Sequence, residues 1–136
     1  MSGPSVATQR LRLSDSDPLG HVNNATYATL FEAGRTEMLY PLGLIAGTTA
    51  AVIVRLEIDF VKEMNWPGDV RIETGVLRFG TKSLHLRQRL LMHGEVTARA
   101  ASVLAFIDST ARRAIPLKPE WCEALTNYRF IDDAVT

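Results

Sequence analysis

The sequence predicts an α+β domain: a curved antiparallel sheet of about five strands wrapped around one long helix. Three observations lead there. A single long amphipathic helical stretch lies near the N-terminus, from about Ala25 to about Tyr40. Four long strand candidates follow it, separated by short turn-forming stretches. One helix covers only one face of an antiparallel sheet, so strands this long must curl around it.

The elements follow in order. Ser5 to Leu13 reads as a short strand, with Gln9, Leu11 and Leu13 alternating against Arg10 and Arg12. Asp15, Asp17, Pro18 and Gly20 then break it; Pro18 fixes its own φ and biases Asp17 towards an extended backbone. Asn23 or Asn24 offers the helix N-cap. Along the helix, Tyr27, Leu30, Phe31, Gly34 and Met38 form one apolar stripe, with Thr29, Glu32 and Thr36 opposite. Gly34 costs roughly 1 kcal/mol against alanine in a helix interior. Its place on the stripe implies that a strand backbone passes close by. Pro41 and Gly43 end the helix.

Beyond a loop at 43–50, Val54, Leu56, Ile58 and Phe60 alternate with Arg55, Glu57 and Asp59. Trp66 to Asp69 is a turn. Val70 to Phe79 is the next strand, with Val70, Ile72, Thr74 and Val76 on one face. A hairpin at Phe79–Lys82 leads into Ser83–Met92, and His93-Gly94 turns into Glu95–Ile107; consecutive hairpins would build the sheet. A short helix from about Lys118 to Leu125 closes the chain, and the last ten or so residues should fray. Trp66 and Trp121 are expected as packing anchors. All of 1–136 reads as a single domain.

Composition narrows the function. Fifteen basic residues balance fifteen acidic ones, so no global field favours nucleic acid or a membrane surface. Any bound anion must be held by a local patch. The single cysteine, Cys122, excludes an intrachain disulfide, and His21, His85 and His93 are too scattered to suggest a metal site. With no signal-peptide layout and no apolar run of membrane-spanning length, the cytoplasm is the expected compartment.

The loop Asp15-Ser-Asp17-Pro-Leu-Gly20-His21-Val-Asn23-Asn24-Ala-Thr-Tyr27, followed by Phe31-Glu32 and Arg35, resembles the hotdog-fold acyl-CoA thioesterases of the 4-hydroxybenzoyl-CoA thioesterase type. The resemblance continues through Ile58-Asp59-Phe60, Gly68-Asp69 and Lys82-Ser83 to Ile115-Pro116. It implies a hotdog fold, a homodimer or homotetramer with active sites between subunits, and hydrolysis of an acyl-CoA or acyl-carrier-protein thioester. No cofactor is expected, since coenzyme A is part of the substrate.

The resemblance assigns Asp17 as the catalytic aspartate, acting as general base or as nucleophile ahead of a helix N-terminus whose free amides stabilise an oxyanion. His21 is the second catalytic candidate, with a structural role in the loop or at a dimer seam as its alternative. Asp15 is read as a turn residue supporting the loop. Asn24 stands where some relatives place a substrate-contacting tyrosine. Lys82 and Ser83 match the nucleotide-contacting position, and Arg78, with Arg87 and Arg89, belongs to the same basic hairpin; Arg112-Arg113 is a weaker patch. Two rivals remain: a non-catalytic acyl-thioester-binding protein of the same fold, and an enoyl-CoA hydratase.

Overall fold

The computed structural model describes residues 3–130. Five long strands form one antiparallel sheet: β1 (Ser5–Arg10), β2 (Thr49–Phe60), β3 (Asp69–Phe79), β4 (Ser83–Met92) and β5 (Glu95–Asp108). Their order across the sheet is β1-β3-β4-β5-β2, and a two-residue strand β6 (Arg113–Ala114) pairs with the end of β5. The long helix α1 (Asn24–Leu39) lies across the inner face, and α2 (Pro119–Leu125) closes the core beside it. This is the expected curled sheet around one helix. None of the helices of the described residues is long and apolar enough to cross a membrane.

Helix α1 starts at Asn23, whose Oδ1 accepts hydrogen bonds from the Thr26 amide at 2.9 Å and the Thr26 hydroxyl at 3.1 Å. A 3₁₀ turn, Tyr40–Leu42, and Gly43 in the left-handed region end it. The stripe Tyr27, Leu30, Phe31, Gly34 and Met38 is buried as the periodicity requires, while Thr29, Glu32 and Thr36 face outward. From the sheet, Val70, Ile72, Thr74 and Val76 meet the helix, as do alternate residues of β4 and β5.

The core divides in two. Around the helix start, Leu11, Tyr27, Phe31, Met64, Ile72 and Leu90 pack together; around its end, Met38, Leu39, Leu84, Phe106, Trp121 and Leu125 do. Between them lies a polar layer. The Gln88 amide, fully buried, donates to the Phe31 carbonyl at 2.9 Å and to Thr74 Oγ1 at 2.8 Å, and its oxygen accepts from Arg35 Nη1 at 3.2 Å.

Several expectations change. Trp66 to Asp69 is a turn but not a hairpin: β2 pairs with β5, and the chain crosses to the other side of the sheet before β3 begins. β2 is therefore an edge strand. The first strand stops at Arg10, because Arg12 to Asp15 closes into a 3₁₀ turn. In β2 a register shift between Ile53 and Arg55 takes Val54 out of the alternation, and Ile53 pairs with the inward-facing Leu104 instead. Trp66 is largely exposed, whereas Trp121 packs on Phe106 with ring centroids 5.2 Å apart. Of the C-terminal residues expected to fray, 131–136 lie outside the described residues. Residues 128–130 are paired: the Val76 amide donates to the Tyr128 carbonyl, and the Phe130 amide donates to the Val76 carbonyl at 3.3 Å.

Gly34 faces strand side chains rather than strand backbone. A Cβ there would stand 2.4 Å from Ile72 Cγ2, 2.8 Å from Thr74 Oγ1 and 3.0 Å from Gln88 Nε2. Gly34→Ala should therefore lower stability by about 1–3 kcal/mol through overpacking, despite the better helix propensity of alanine. Exposed Thr36→Ala should stay within about 0.5 kcal/mol. Thermal denaturation of the two variants side by side checks this, and an unchanged or raised melting temperature for Gly34→Ala would show that the helix has room to lift.

Candidate active site

The loop between β1 and α1 is built by its carboxylates. Asp15 is buried; its Oδ2 accepts from the Arg12 amide at 2.7 Å and its Oδ1 from the Arg12 guanidinium at 3.1 Å. The Asp15 carbonyl accepts from the Asn23 amide at 3.1 Å, tying the turn to the helix cap. Asp15 is thus the structural support of the loop.

Asp17 sits one step further out and is half-buried. Its Oδ1 accepts from the Leu19 amide at 2.9 Å and from the His21 amide at 3.0 Å, an Asx-type turn closed by the Asp17 amide donating to the His21 carbonyl at 2.8 Å. Gly20, at φ 83°, supplies the left-handed residue that this turn requires. No group among the described residues bonds Oδ2. One carboxylate oxygen is fixed by two backbone amides, and the other carries no bond among the described residues.

The His21 backbone meets Asp17, but its ring does not. His21 Nε2 lies 3.3 Å from Glu63 Oε2, and the residue pairs across a β-bridge with Asn65. The imidazole is held on the opposite wall by the segment that follows β2. That wall is pinned to the helix by Tyr27, whose hydroxyl donates to the Lys62 carbonyl at 3.3 Å and accepts from the Met64 amide at 3.1 Å. The Tyr27 ring also meets Phe60 edge-on, 5.0 Å between centroids.

Between loop and wall lies a cleft of about 500 Å³. It brings together Asp17, His21 and Asn24 with Tyr27, Phe60 and Glu63. Asn24 is the first helical residue, so the cleft opens at the helix N-terminus, where the first amides have no intrahelical acceptor and the dipole is positive. Lys62, also on the rim, forms an ion pair with Glu95. Its hydrogen bond, and then its charge, hold the Glu95 carboxyl below the usual carboxylate range.

The basic hairpin is elsewhere. Lys82 and Ser83 are at the β3–β4 turn, at the opposite end of β3 from the Asp17 loop, which meets Gly68 just before that strand. Ten residues of strand separate the ends by roughly 33 Å. Arg78 lies exposed on the outer face opposite His85. His85 Nε2 is 3.2 Å from Ser83 Oγ; burial first, and then the Arg78 charge, hold the imidazole below its ordinary pKa. Within one chain, Asp17, His21 and Asn24 are gathered, and Arg78, Lys82 and Ser83 are not with them. No three His, Cys, Asp or Glu side chains among the described residues gather closely enough to hold a metal ion.

The model of the thioesterase-like superfamily matches residues 11–125, which spans the loop, both helices and all the long strands but β1. The chain belongs to that superfamily. Its activity is accordingly thioester hydrolysis. Among solved structures, a predicted thioesterase from Bacillus stearothermophilus is 30% identical, with 93% of this chain and 97% of that one covered at a TM-score of 0.85. A thioesterase from Thermus thermophilus complexed with coenzyme A and Zn is 25% identical, covering 88% and 95% at a TM-score of 0.75. The DHNA-CoA thioesterase from Staphylococcus aureus, 22% identical with 89% and 87% covered at a TM-score of 0.80, shares the fold. No curated protein matches the chain.

Lys62 and Glu63 are not marked by the sequence, and Phe60 is marked only as a strand residue of the Ile58-Asp59-Phe60 segment, because they lie some forty residues beyond the loop motif they face. The one available signal is the Lys62-Glu63 pair that interrupts the apolar strand end after Ile58-Asp59-Phe60.

Tyr27 carries a pH dependence. Burial, first among its causes, and the Glu63 charge raise its phenol pKa, while the hydrogen bond with the Met64 amide works the other way. Because the folded-state pKa lies above the unfolded one, the neutral phenol's contribution is complete below about pH 10 and is lost as pH rises through the folded value. Tyr27→Phe should cost about 1–3 kcal/mol at neutral pH, since it leaves the Met64 amide without its acceptor. It should also flatten the loss of stability above about pH 10, measured by denaturant unfolding across the alkaline range. An alkaline limb of equal steepness in both proteins would assign that limb to another group.

Proposed function

We propose that this protein hydrolyses acyl-CoA thioesters, or the equivalent acyl-carrier-protein thioesters, in the Asp17 cleft, and that it works in the cytoplasm as a homodimer or homotetramer. The observation that carries this is the Asp17 carboxylate: one oxygen is locked by two backbone amides and the other is unbonded among the described residues, facing a cleft at the start of α1. A carboxylate serving only as a turn former has no need of such a cleft.

The step is short. With the thioester carbonyl at the helix N-terminus, the developing oxyanion meets amides that need no reorganisation. Acting as general base, Asp17 Oδ2 takes a proton from water as the water oxygen bonds to the carbonyl carbon. The tetrahedral intermediate then collapses, the C–S bond breaks, and the departing sulfur takes the proton. Acting as nucleophile, the same oxygen bonds to the carbonyl carbon, expels the thiolate, and leaves a mixed anhydride for water to open. His21, fixed by Glu63 on the facing wall, is placed to orient the water or the substrate. Asn24 contacts the acyl thioester from the helix start.

Coenzyme A as the thiol portion is supported by the Thermus thermophilus thioesterase, which was solved as a complex with it. In this reading Arg78, Lys82 and Ser83 hold the nucleotide phosphates, and they do so for the cleft of a neighbouring subunit, since their own lies at the other end of the sheet. β2 supports that arrangement as an edge strand with Ile53, Val54, Leu56 and Phe60 all substantially exposed. The resident chemistry needs no cofactor.

Free-thiol release from a panel of acyl-CoAs tests the reading. Asp17→Asn should lose at least about a hundredfold in kcat with CoA binding retained, and full activity in that variant would overturn the assignment. Lys82→Ala should raise KM with kcat nearly unchanged, because a phosphate contact is equal in ground and transition states. A pure kcat effect would remove Lys82 from the binding site.

A further inference from the structure

Among the described residues Arg35 is the one cation buried against the helix-facing side of the sheet, 7% exposed. Guanidinium carries five N–H donors. Among the described residues only Nη1 finds an acceptor, Gln88 Oε1 at 3.2 Å, and no carboxylate lies within ion-pair distance. Burial depresses its pKa, with the Glu32 charge one helical turn away opposing that effect. A buried cation without a paired anion is costly, and an apolar residue of similar volume would serve packing as well or better. Orienting the Gln88 amide requires one donor. The rest carry no protein bond among the described residues.

The same side chain forms part of the wall of a second cavity, about 160 Å³, between α1 and the bulged stretch of β2. Its other walls are Leu39, Ile53 and Leu104, with Glu32 and Thr36 at its polar side. A cavity of this order takes a benzene-sized group. It lies along the same side of α1 as the Asp17 cleft: the inward side chains of β2, from Phe60 through Leu56 to Ile53, run from one to the other. Long helical side chains lean towards the N-terminus, and Gln88 ties the guanidinium near the level of Phe31. From there to Asn24 is roughly 10 Å along the helix axis.

We propose that the Arg35 cavity is a specificity pocket for the far end of the acyl chain, and that it selects chains of medium length carrying a hydroxyl or keto oxygen there over plain alkanoyl chains. This rests on the hydrolase reading of the Asp17 cleft. The neutral oxygen follows from the charges: Glu32 faces the same cavity and offsets Arg35, so a carboxylate gains little net attraction, whereas a hydroxyl finds guanidinium donors and carboxylate or Thr36 acceptors. Apolar walls hold the rest of the chain. Sites built to hydrogen-bond an oxygen discriminate strongly against analogues that lack it.

The test compares thiol release from hexanoyl-, octanoyl- and decanoyl-CoA with that from their ω-hydroxy and ω-carboxy counterparts. At one of these lengths the ω-hydroxy substrate should exceed the alkanoyl one at least about tenfold in kcat/KM, and exceed the ω-carboxy one as well. Arg35→Met should bring the ω-hydroxy to alkanoyl ratio of kcat/KM to about one, a ratio taken within the variant so that any general loss of activity cancels. Should Arg35→Met not fold, Ile53→Phe, which fills the cavity from its apolar wall, should remove the same preference. Equal use of alkanoyl and ω-hydroxy chains at all three lengths by the wild-type protein overturns the pocket assignment and leaves the thioesterase reading intact. No thiol release from any member, nor from shorter or aromatic acyl-CoAs, overturns the reading beneath it.

Discussion

The position of α1 on the sheet depends on one amide. Gln88 reaches up from β4 in the middle of the inner face and spends both its N–H donors and its oxygen on three partners from two elements: the Phe31 carbonyl and Arg35 on the helix, and Thr74 on β3. Apolar packing sets how closely a helix and a sheet approach, but it is non-directional and tolerates sliding. A fully bonded buried amide does not, because any slip of the helix by one residue leaves desolvated polar groups unpaired. Gly34 sits directly over this point, and the absence of its side chain is what lets the helix come down far enough for the bonds to form.

The candidate active site inherits that register. Once the helix cannot slide, Asn23 and the first amides of α1 stand at a fixed height above the sheet, and Tyr27 reaches the 62–64 segment to close the cleft's far wall. The loop is then fastened from its other side by Asp15, through Arg12 and the Asn23 amide. Asp17 is consequently the least constrained carboxylate in a well-constrained loop. In the proposed reaction, fixing one of its oxygens and leaving the other unbonded would preorganise it for water activation or direct attack on a carbonyl.

Much of this was legible in the sequence, for a physical reason. The helix stripe, its Asn cap, the alternating strands and the His93-Gly94 turn are local patterns, each written in residues three or four apart at most. The Asp17 loop was legible because its turn chemistry is local too, with Pro18 and Gly20 shaping it. What was hidden is non-local. β2 pairing with β5 instead of β3 depends on a crossover that turn residues do not encode, and Glu63 facing His21 depends on that crossover. Arg35 was hidden differently. Its position, four residues beyond Phe31, places it on the buried stripe, but an arginine there reads as a surface residue. The residue that breaks the binary pattern inside the core is the one for which packing offers no rationale.

The sheet order also explains why the basic hairpin and the aspartate are so far apart. An antiparallel sheet carries its turns alternately at its two ends, so the β3–β4 turn with Lys82 and the loop after β1 necessarily face opposite ways. Strands long enough to wrap a sixteen-residue helix then keep them apart by more than the length of that helix, roughly 24 Å. In the proposed reaction both ends serve one substrate, and a second copy antiparallel beside the first would bring them together. The crossover that removes β2 from the middle of the sheet would provide the means, since it leaves at the edge the longer of the two strands with an open side, with Ile53, Val54, Leu56 and Phe60 part-exposed. Such an edge is a liability in a monomer and a template in a dimer. The same feature that makes the topology unreadable from local sequence is thus the one on which the proposed dimer rests.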